Sequence, residues 1–237
     1  MFPLKDDNPI SITPVVTWAL IVVNVLVFLY QFSLGPKAAE YFVYQYGAIP
    51  AVVVGQQSLP SSFATIPPVL SVFTSMFLHG GWMHLIGNMW FLWIFGNNIE
   101  EAMGGFRFIV FYFVCGVLAS WSHILSNPGS VLPSIGASGA ISGVMGAYIM
   151  LYPRARVWTL IFLFFFIRLM YIPAGIILGY WFLIQLLSGS MAGGQAQGGV
   201  AFWAHIGGFL AGVLLVALFK KKGVRFFNPP RYSRTFY

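Results

Sequence analysis

Long apolar runs with almost no charge constrain this chain more than any other feature of its sequence. Only 7% of its 237 residues are charged, whereas a soluble globular domain has about 25%. Hydrophobic residues make up 59% of the chain, and several runs reach the roughly 17–25 residues that a helix needs to cross a bilayer. The sequence therefore predicts an integral membrane protein and excludes a water-soluble domain with one large core.

Six apolar segments set the predicted architecture, an all-α bundle of six transmembrane helices. They cover residues 14–34, 82–103, 106–125, 138–152, 173–188 and 202–219. We take residues 14–220 as one membrane domain, preceded by a tail over residues 1–13 and followed by a basic tail over residues 221–237. The first connecting loop, within residues 35–78, is long and half apolar, so we expect it to be partly embedded in the membrane.

Residues 157–188 are too long for a single span. About 32 residues at 1.5 Å each exceed a hydrocarbon core of about 30 Å. We expect a break near residues 168–173, with the fifth span beginning near Pro173, which is a favourable first-turn residue. Residues 157–167 then form an interfacial or re-entrant piece, and Arg168 reaches the interface with its charged head group.

Basic residues predict the orientation, because they are enriched in the cytoplasmic loops of membrane proteins. They follow the last span and occupy the connector between the fourth and fifth spans, whereas Lys37 alone falls on the other side. Both termini are therefore predicted to be cytoplasmic, with loops 35–81, 126–137 and 189–201 facing outward. We attribute the formal charge of +7 to this pattern and to contacts with anionic lipids, and we expect no nucleic-acid partner.

Small residues at helical spacing predict which helices pack most closely. The fourth segment carries a stripe that includes Gly139, and the sixth carries His205, Gly208 and Gly212 in one stripe. Such stripes let helix backbones approach within side-chain contact. If the two stripes pack together, Ser138 at the start of one helix can meet His205 in the other.

Ser138 and His205 are the candidate reactive residues. Pro133 and Gly136 precede Ser138, so it lies at or near a helix N-terminus, where unpaired backbone N–H groups can stabilise a negative oxygen. An imidazole within hydrogen-bond reach can take the serine proton as general base and return it to a leaving amine. Of the five acidic residues only Glu40 lies on the predicted outer side. We therefore expect a Ser–His dyad in which packing, rather than a carboxylate, holds the histidine.

A third cluster contains His79, His84 and Asn88. His84 and Asn88 are four residues apart, so they share one helix face, and both can donate hydrogen bonds to an oxyanion. His79 is interpreted as a structural hydrogen-bonding residue at the helix start. The alternative is a metal site formed by His79, His84 and His205. The His-Glu-x-x-His pattern of zinc proteases is absent, and we expect neither a metal nor a cofactor.

Three short motifs follow one another along the chain. They are His84-x-x-x-Asn88, Gly136-x-Ser138-Gly139 and Ala204-His205-x-x-Gly208. In this order they resemble the signature set of the rhomboid family of intramembrane serine proteases. The resemblance extends over about residues 10–220, nearly the whole predicted bundle.

The resemblance implies a rhomboid-like six-helix bundle that is open to water from its outer side. Ser138 would be the nucleophile and His205 the general base, while His84, Asn88 and the Ser138 backbone N–H would be the oxyanion donors. Supporting positions are Gly136, Gly139, Gly208 and His79. The implied substrates are transmembrane helices, cut near their outer end at small residues in locally unwound segments.

Two departures from the family pattern concern the first loop and the histidine. Residues 35–78 contain neither residue of the Trp-Arg pair that the family often has there. Some members also carry an aromatic residue four positions after the nucleophile, stacked on the histidine. That position is Ser142 here, so another residue must hold the His205 ring.

The main hypothesis is an intramembrane serine endopeptidase in a bacterial inner (plasma) membrane. The alternative is a catalytically silent rhomboid-like protein that binds transmembrane helices. A small-solute transporter is the third possibility. It is disfavoured because the chain shows no internal repeat and its intramembrane polar residues collect near one face.

Overall fold

The computed structural model describes residues 1–163, 166–191 and 201–228. Helices dominate this part of the chain, and a three-stranded sheet accompanies them. The helices are α1 (Val15–Ser33), α2 (Pro36–Tyr46), α3 (Pro50–Val53), α4 (Ser71–Thr74), α5 (Trp82–Met103), α6 (Gly105–Ser126), α7 (Ser138–Leu151), α8 (Ala174–Met191) and α9 (Phe202–Phe219). The strands are β1 (Phe2–Asp6), β2 (Arg156–Leu163) and β3 (Phe166–Pro173). A helix lies over each of the six predicted apolar segments.

Four of the described helices, α1, α6, α8 and α9, are long and apolar enough to cross a membrane on their own. A fifth candidate span joins Pro68–Phe77 to α5, with a bend of 81° between the two parts. Helix α7 is apolar but shorter. The chain is thus a mostly helical, multi-pass membrane protein with four or five candidate spans, and six crossings stay a prediction.

The expectation of an all-α fold is wrong, because the chain also forms a sheet. Strand β1 pairs antiparallel with β2, which pairs antiparallel with β3. The segment that we expected to be interfacial or re-entrant, residues 157–167, lies almost wholly in this hairpin. It is rich in β-branched and aromatic residues, which favour strands. Strand pairing also satisfies backbone groups that apolar surroundings would leave without partners.

Polar contacts anchor the N-terminal segment to the helices. The Trp90 indole N–H donates to the Pro3 carbonyl at 2.7 Å, and Asn98 Nδ2 donates to the Asn8 carbonyl at 2.9 Å. The Tyr148 hydroxyl donates to Asp6 Oδ2 at 2.6 Å. These bonds connect the first residues of the chain to both α5 and α7, so the predicted tail over residues 1–13 packs on the bundle.

Glu100 fixes the start of α1 against the end of α5. Its buried carboxylate accepts hydrogen bonds from the backbone N–H groups of Val16 at 3.0 Å and Thr17 at 2.7 Å. A negative charge is favourable at a helix N-terminus, where the first N–H groups have no partner within the helix. The contact orients α1 alongside α5, the helix that carries His84 and Asn88.

Helix α7 lies at the centre of the bundle in backbone contact with α9. A Cβ atom at Gly208 would overlap the carbonyl oxygen of Gly139, and a Cβ atom at Gly212 would overlap that of Gly143. Only glycine permits so close an approach. The two small-residue stripes of the sequence therefore pack against each other, and this brings the start of α7 next to the start of α9.

The first connecting loop contains the short helices α2, α3 and α4. Ala48 and Ser134 form an isolated antiparallel bridge, with backbone hydrogen bonds of 3.0 and 2.8 Å, which ties this loop to the segment before α7. Its embedding in the membrane stays a prediction. Residues 192–200 of the predicted outer loop and residues 229–237 of the predicted basic tail lie outside the described residues.

Candidate active site

Ser138 and His205 meet where α7 and α9 begin. The Ser138 Oγ atom lies 2.8 Å from His205 Nε2, at hydrogen-bond distance. Ser138 is the first residue of α7, so its own N–H is among the groups that have no acceptor within the helix. The arrangement puts a hydroxyl, an imidazole and a helix N-terminus at one point.

Gln185 on α8 holds the other ring nitrogen of His205. Its Oε1 atom lies 2.8 Å from His205 Nδ1. Because a carbonyl oxygen can only accept, Nδ1 carries the proton in this pair and Nε2 is left as the acceptor for the serine hydroxyl. Sequence reasoning missed Gln185. The available signal was a polar amide within the apolar segment 173–188.

An aromatic ring from α8 lies against the His205 ring. The Trp181 ring centroid is 5.6 Å from that of His205, with an angle of 38° between the ring planes. Ser142, at the position where some rhomboids have the aromatic residue, instead donates its hydroxyl to the Ser138 carbonyl at 2.6 Å. The ring contact therefore comes from a different helix than the family pattern suggests.

His84 and Asn88 approach the segment just before the serine. A Cβ atom at Gly136 would lie 2.7 Å from His84 Nε2 and 3.6 Å from Asn88 Nδ2. Gly136 has φ +123°, a conformation that side chains rarely adopt. Both side chains thus reach the backbone two residues before Ser138, and glycine leaves the space between them open.

Two hydrogen-bond donors in this space are available to a ligand. Asn88 Nδ2 is buried and has no hydrogen-bond partner among the described residues. The Gly80 N–H donates to His84 Nδ1 at 3.3 Å, so in the neutral ring the proton is on Nε2, the atom that approaches Gly136. A buried unpaired donor is costly to a fold, and this one lies beside Gly136, two residues before Ser138.

His79 lies next to His84, near the start of α5. Its carbonyl accepts a hydrogen bond of 2.8 Å from Gln31 Nε2, and its Nδ1 lies 3.3 Å from the Phe77 carbonyl. Its ring centroid is 5.1 Å from that of His84. In the described ranges, no group of three or more His, Cys, Asp or Glu side chains is arranged to hold a metal ion.

Comparison with known proteins identifies the family. Residues 68–222 match the family model described as Rhomboid domain. The chain belongs to the rhomboid family. The matched region contains Ser138, His205, His84 and Asn88, and it excludes β1 and α1. The predicted roles of these four side chains stay predictions.

Two related rhomboids come from yeast and a plant. The chain is 33% identical over 149 residues to Rhomboid protein 1, mitochondrial, of Saccharomyces cerevisiae, covering 61% of this chain and 40% of that protein. It is 33% identical over 157 residues to Rhomboid-like protein 11, chloroplastic, of Arabidopsis thaliana, covering 62% and 51%. The chain thus matches about half or less of these relatives' length.

A third related rhomboid comes from the mouse. The chain is 33% identical over 108 residues to the Presenilin-associated rhomboid-like protein, mitochondrial, of Mus musculus, covering 45% of this chain and 28% of that protein. The names of all three relatives point to organelles rather than to a bacterial membrane. The bacterial inner membrane therefore stays a prediction without support from these relatives.

Proposed function

We propose that this rhomboid is an intramembrane serine endopeptidase that hydrolyses peptide bonds in or near transmembrane segments. Ser138 is the nucleophile and His205 the general base. The observation that carries the proposal is the 2.8 Å contact of Ser138 Oγ with His205 Nε2, combined with a proton held on Nδ1 by Gln185. A neutral imidazole with a free lone pair on Nε2 is in the state that a general base requires.

Acylation follows from this geometry. As Ser138 Oγ attacks the substrate carbonyl carbon, its proton passes to His205 Nε2 and the carbonyl π electrons move onto oxygen. The resulting oxyanion accepts hydrogen bonds from His84 Nε2, Asn88 Nδ2 and the Ser138 N–H. When the tetrahedral intermediate collapses, the C–N bond breaks and His205 returns the proton to the leaving amine.

Deacylation uses the same groups with water as the nucleophile. His205 takes a proton from the attacking water, and the same three donors hold the second oxyanion. Collapse breaks the ester bond, and the proton returns to Ser138 Oγ as the new carboxyl product leaves. Each step is a proton transfer or an acyl transfer, so the chain's own side chains suffice and no metal or cofactor enters.

The charge distribution supports an orientation for the proposed enzyme. Basic residues cluster at the end of the bundle opposite the dyad, and Lys221 Nζ there donates to the Glu101 carbonyl at 2.9 Å. The positive-inside rule places this end in the cytoplasm, with contacts to anionic lipids. The dyad then opens to the other side, and the substrates are transmembrane proteins cut near that surface.

The proposal is tested with purified protein in liposomes and a panel of single-span substrates. Each substrate has an apolar helix interrupted by small residues near one end, and a fluorescent domain is released on cleavage. We expect the wild type to cleave at least one panel member and Ser138→Ala to cleave none while unfolding at the same temperature. Full cleavage by Ser138→Ala would refute the serine mechanism. Binding of the helices without cleavage by the wild type would favour the silent helix-binding alternative.

A further inference from the structure

We infer that Gln185 is a positioning residue for catalysis, the third member of a Ser138–His205–Gln185 chain of hydrogen bonds. This inference rests on the proposed protease function and deepens it. The sequence predicts a dyad held by packing alone. The geometry instead points to an uncharged acceptor on α8 that fixes which nitrogen of His205 is the base.

The orientation of the Gln185 amide is set from its own helix. Its Nε2 atom lies 3.4 Å from the carbonyl oxygen of Trp181, four residues earlier. Because the amino group of the amide faces this carbonyl, the amide oxygen faces His205 Nδ1 at 2.8 Å. In a flipped amide, Gln185 Nε2 would face the Nδ1–H group of His205, so two donors would meet. Gln185 Oε1 would face the Trp181 carbonyl, so two acceptors would meet.

Gln185 is a polar residue in surroundings that otherwise exclude polar groups. Its side chain is 7% exposed, whereas α8 exposes apolar side chains on its other face, including Ile184 and Leu187. A buried amide inside a membrane helix is expensive unless its hydrogen bonds are made. Both polar ends of the Gln185 amide have partners, so the residue is satisfied in the resting protein.

The packing of α8 on α9 does not depend on Gln185 alone. The rings of Phe182 and Phe209 stack at 4.5 Å, and the backbone at Gly189 approaches Phe202 and Ile206. Trp181 contacts His205 from the same face of α8, one turn before Gln185. Apolar contacts therefore hold the helix in place, and the amide provides what they cannot, a directional acceptor for the Nδ1 proton.

A neutral acceptor also suits the electrostatics of the site. A carboxylate in this position would need a charge buried among apolar side chains, which is costly. An amide oxygen selects the same tautomer at lower desolvation cost, although it stabilises a protonated imidazole less. The site thus retains the orienting part of a catalytic triad without its buried negative charge.

Kinetics with three variants test the positioning role. Gln185→Met keeps the length of the side chain and removes the acceptor, whereas Gln185→Glu keeps an acceptor. We expect Gln185→Met to lower kcat on the liposome substrates by about 10- to 100-fold, the range for leaving a buried donor unpaired, with KM unchanged. Gln185→Glu should recover most of this loss. Ser190→Ala on the same helix, whose hydroxyl donates to the Leu186 carbonyl, should match the wild type.

A second measurement does not depend on activity. The chain has 4 histidines, so the ring nitrogens of 15N-histidine protein can be assigned with His205→Ala and followed by NMR. We expect His205 to carry its proton on Nδ1 in the wild type and in Gln185→Glu, and to lose that preference in Gln185→Met. An unchanged tautomer together with unchanged kcat in Gln185→Met would overturn the inference. If the wild type cleaves no substrate but its His205 tautomer still depends on Gln185, the protease function is refuted. The inference that Gln185 positions His205 then stands.

Discussion

Some polar side chains at the site have hydrogen-bond partners in the described part of the chain, and at least one does not. Ser138, His205 and Gln185 form a closed chain of contacts. Asn88 Nδ2, by contrast, is buried without a partner among the described residues. A polar group left in this state lowers stability, and its place beside Gly136, two residues before Ser138, supports the proposed role as an oxyanion donor.

Replacing Asn88 with alanine should therefore affect the reaction and spare the fold. We expect Asn88→Ala to lower kcat by about 10²- to 10³-fold, the usual effect of removing one oxyanion donor, without a decrease in the unfolding temperature. The matched control is Asn98→Ala, on the same helix. Asn98 donates to the Asn8 carbonyl, so its loss should lower stability and leave kcat on the folded fraction nearly unchanged. Equal losses of kcat in both variants would contradict the role of Asn88 as an oxyanion donor.

The sequence predicts part of the site and misses the rest for a geometric reason. Ser138 and His205 lie in short glycine-containing motifs, and His84 and Asn88 share one helix face, so local spacing is sufficient to find them. Gln185 and Trp181 occur in no such motif. Their roles depend on how α8 is rotated against α9, and that angle follows from packing across the whole bundle.

Helix contacts determine whether the reactive residues meet. Helices α7 and α9 touch backbone to backbone at Gly139, Gly143, Gly208 and Gly212. The dyad is formed at the end of this contact, so the distance from Ser138 to His205 depends on glycines that lie up to two turns away.

The same substitution at two glycines tests this dependence. Gly212→Ala should lower the free energy of unfolding by about 1–3 kcal/mol, since a new methyl group overpacks the contact with Gly143, and should lower activity as the helices separate. Gly179→Ala on α8 is the control, because a Cβ atom there meets nothing within 4 Å, and it should be neutral or stabilising by up to about 1 kcal/mol. Chemical unfolding in detergent measures both, and a neutral Gly212→Ala would refute the close contact.

The sheet shows where an element could not be predicted from the sequence. Residues 157–167 form a short apolar run whose periodicity does not distinguish a helix from a strand, although its β-branched and aromatic residues favour a strand. Strand β2 pairs with its neighbour β3 and also with β1, which lies some 150 residues earlier in the chain. Local patterns carry no information about a partner so distant.

Asp6 makes the docking of β1 dependent on pH. This residue lies outside the membrane-spanning helices, and burial raises the pKa of its carboxyl to about 6, partly opposed by the hydrogen bond from Tyr148 and reinforced by neighbouring Asp7. Because the folded pKa exceeds the unfolded value of 3.8, the Asp6 contribution to stability is fully present below about pH 4 and is lost as pH rises through 6.

Asp6→Asn should remove this pH dependence while keeping an acceptor for the Tyr148 hydroxyl. We expect the variant to be more stable than the wild type at pH 7, by up to about 3 kcal/mol, and equal to it near pH 4. Thermal unfolding of both proteins across pH 4–7 gives the difference directly. A stability advantage of Asp6→Asn that grows toward low pH would contradict a raised pKa of Asp6 in the folded protein.

The whole molecule is a rhomboid in which a bundle of helices brings Ser138 and His205 together near one end. Apolar runs predicted the position of every long helix, because crossing hydrocarbon requires length and low charge. Basic residues lie at the opposite end, among them Lys221, Arg154 and Arg156. The architecture therefore keeps most of the basic residues apart from the Ser138–His205 pair, and the predicted orientation rests on this separation.

The central claim is that Ser138 is an activated nucleophile, and covalent labelling tests it most directly. Folded wild-type protein in detergent is treated with a fluorophosphonate probe, and the adduct is located by mass spectrometry. The account predicts one adduct at Ser138, absent from Ser138→Ala and from His205→Ala, while all three proteins unfold at similar temperatures. A wild-type protein that is folded and remains unlabelled, or an adduct that persists in His205→Ala at the wild-type rate, would contradict it.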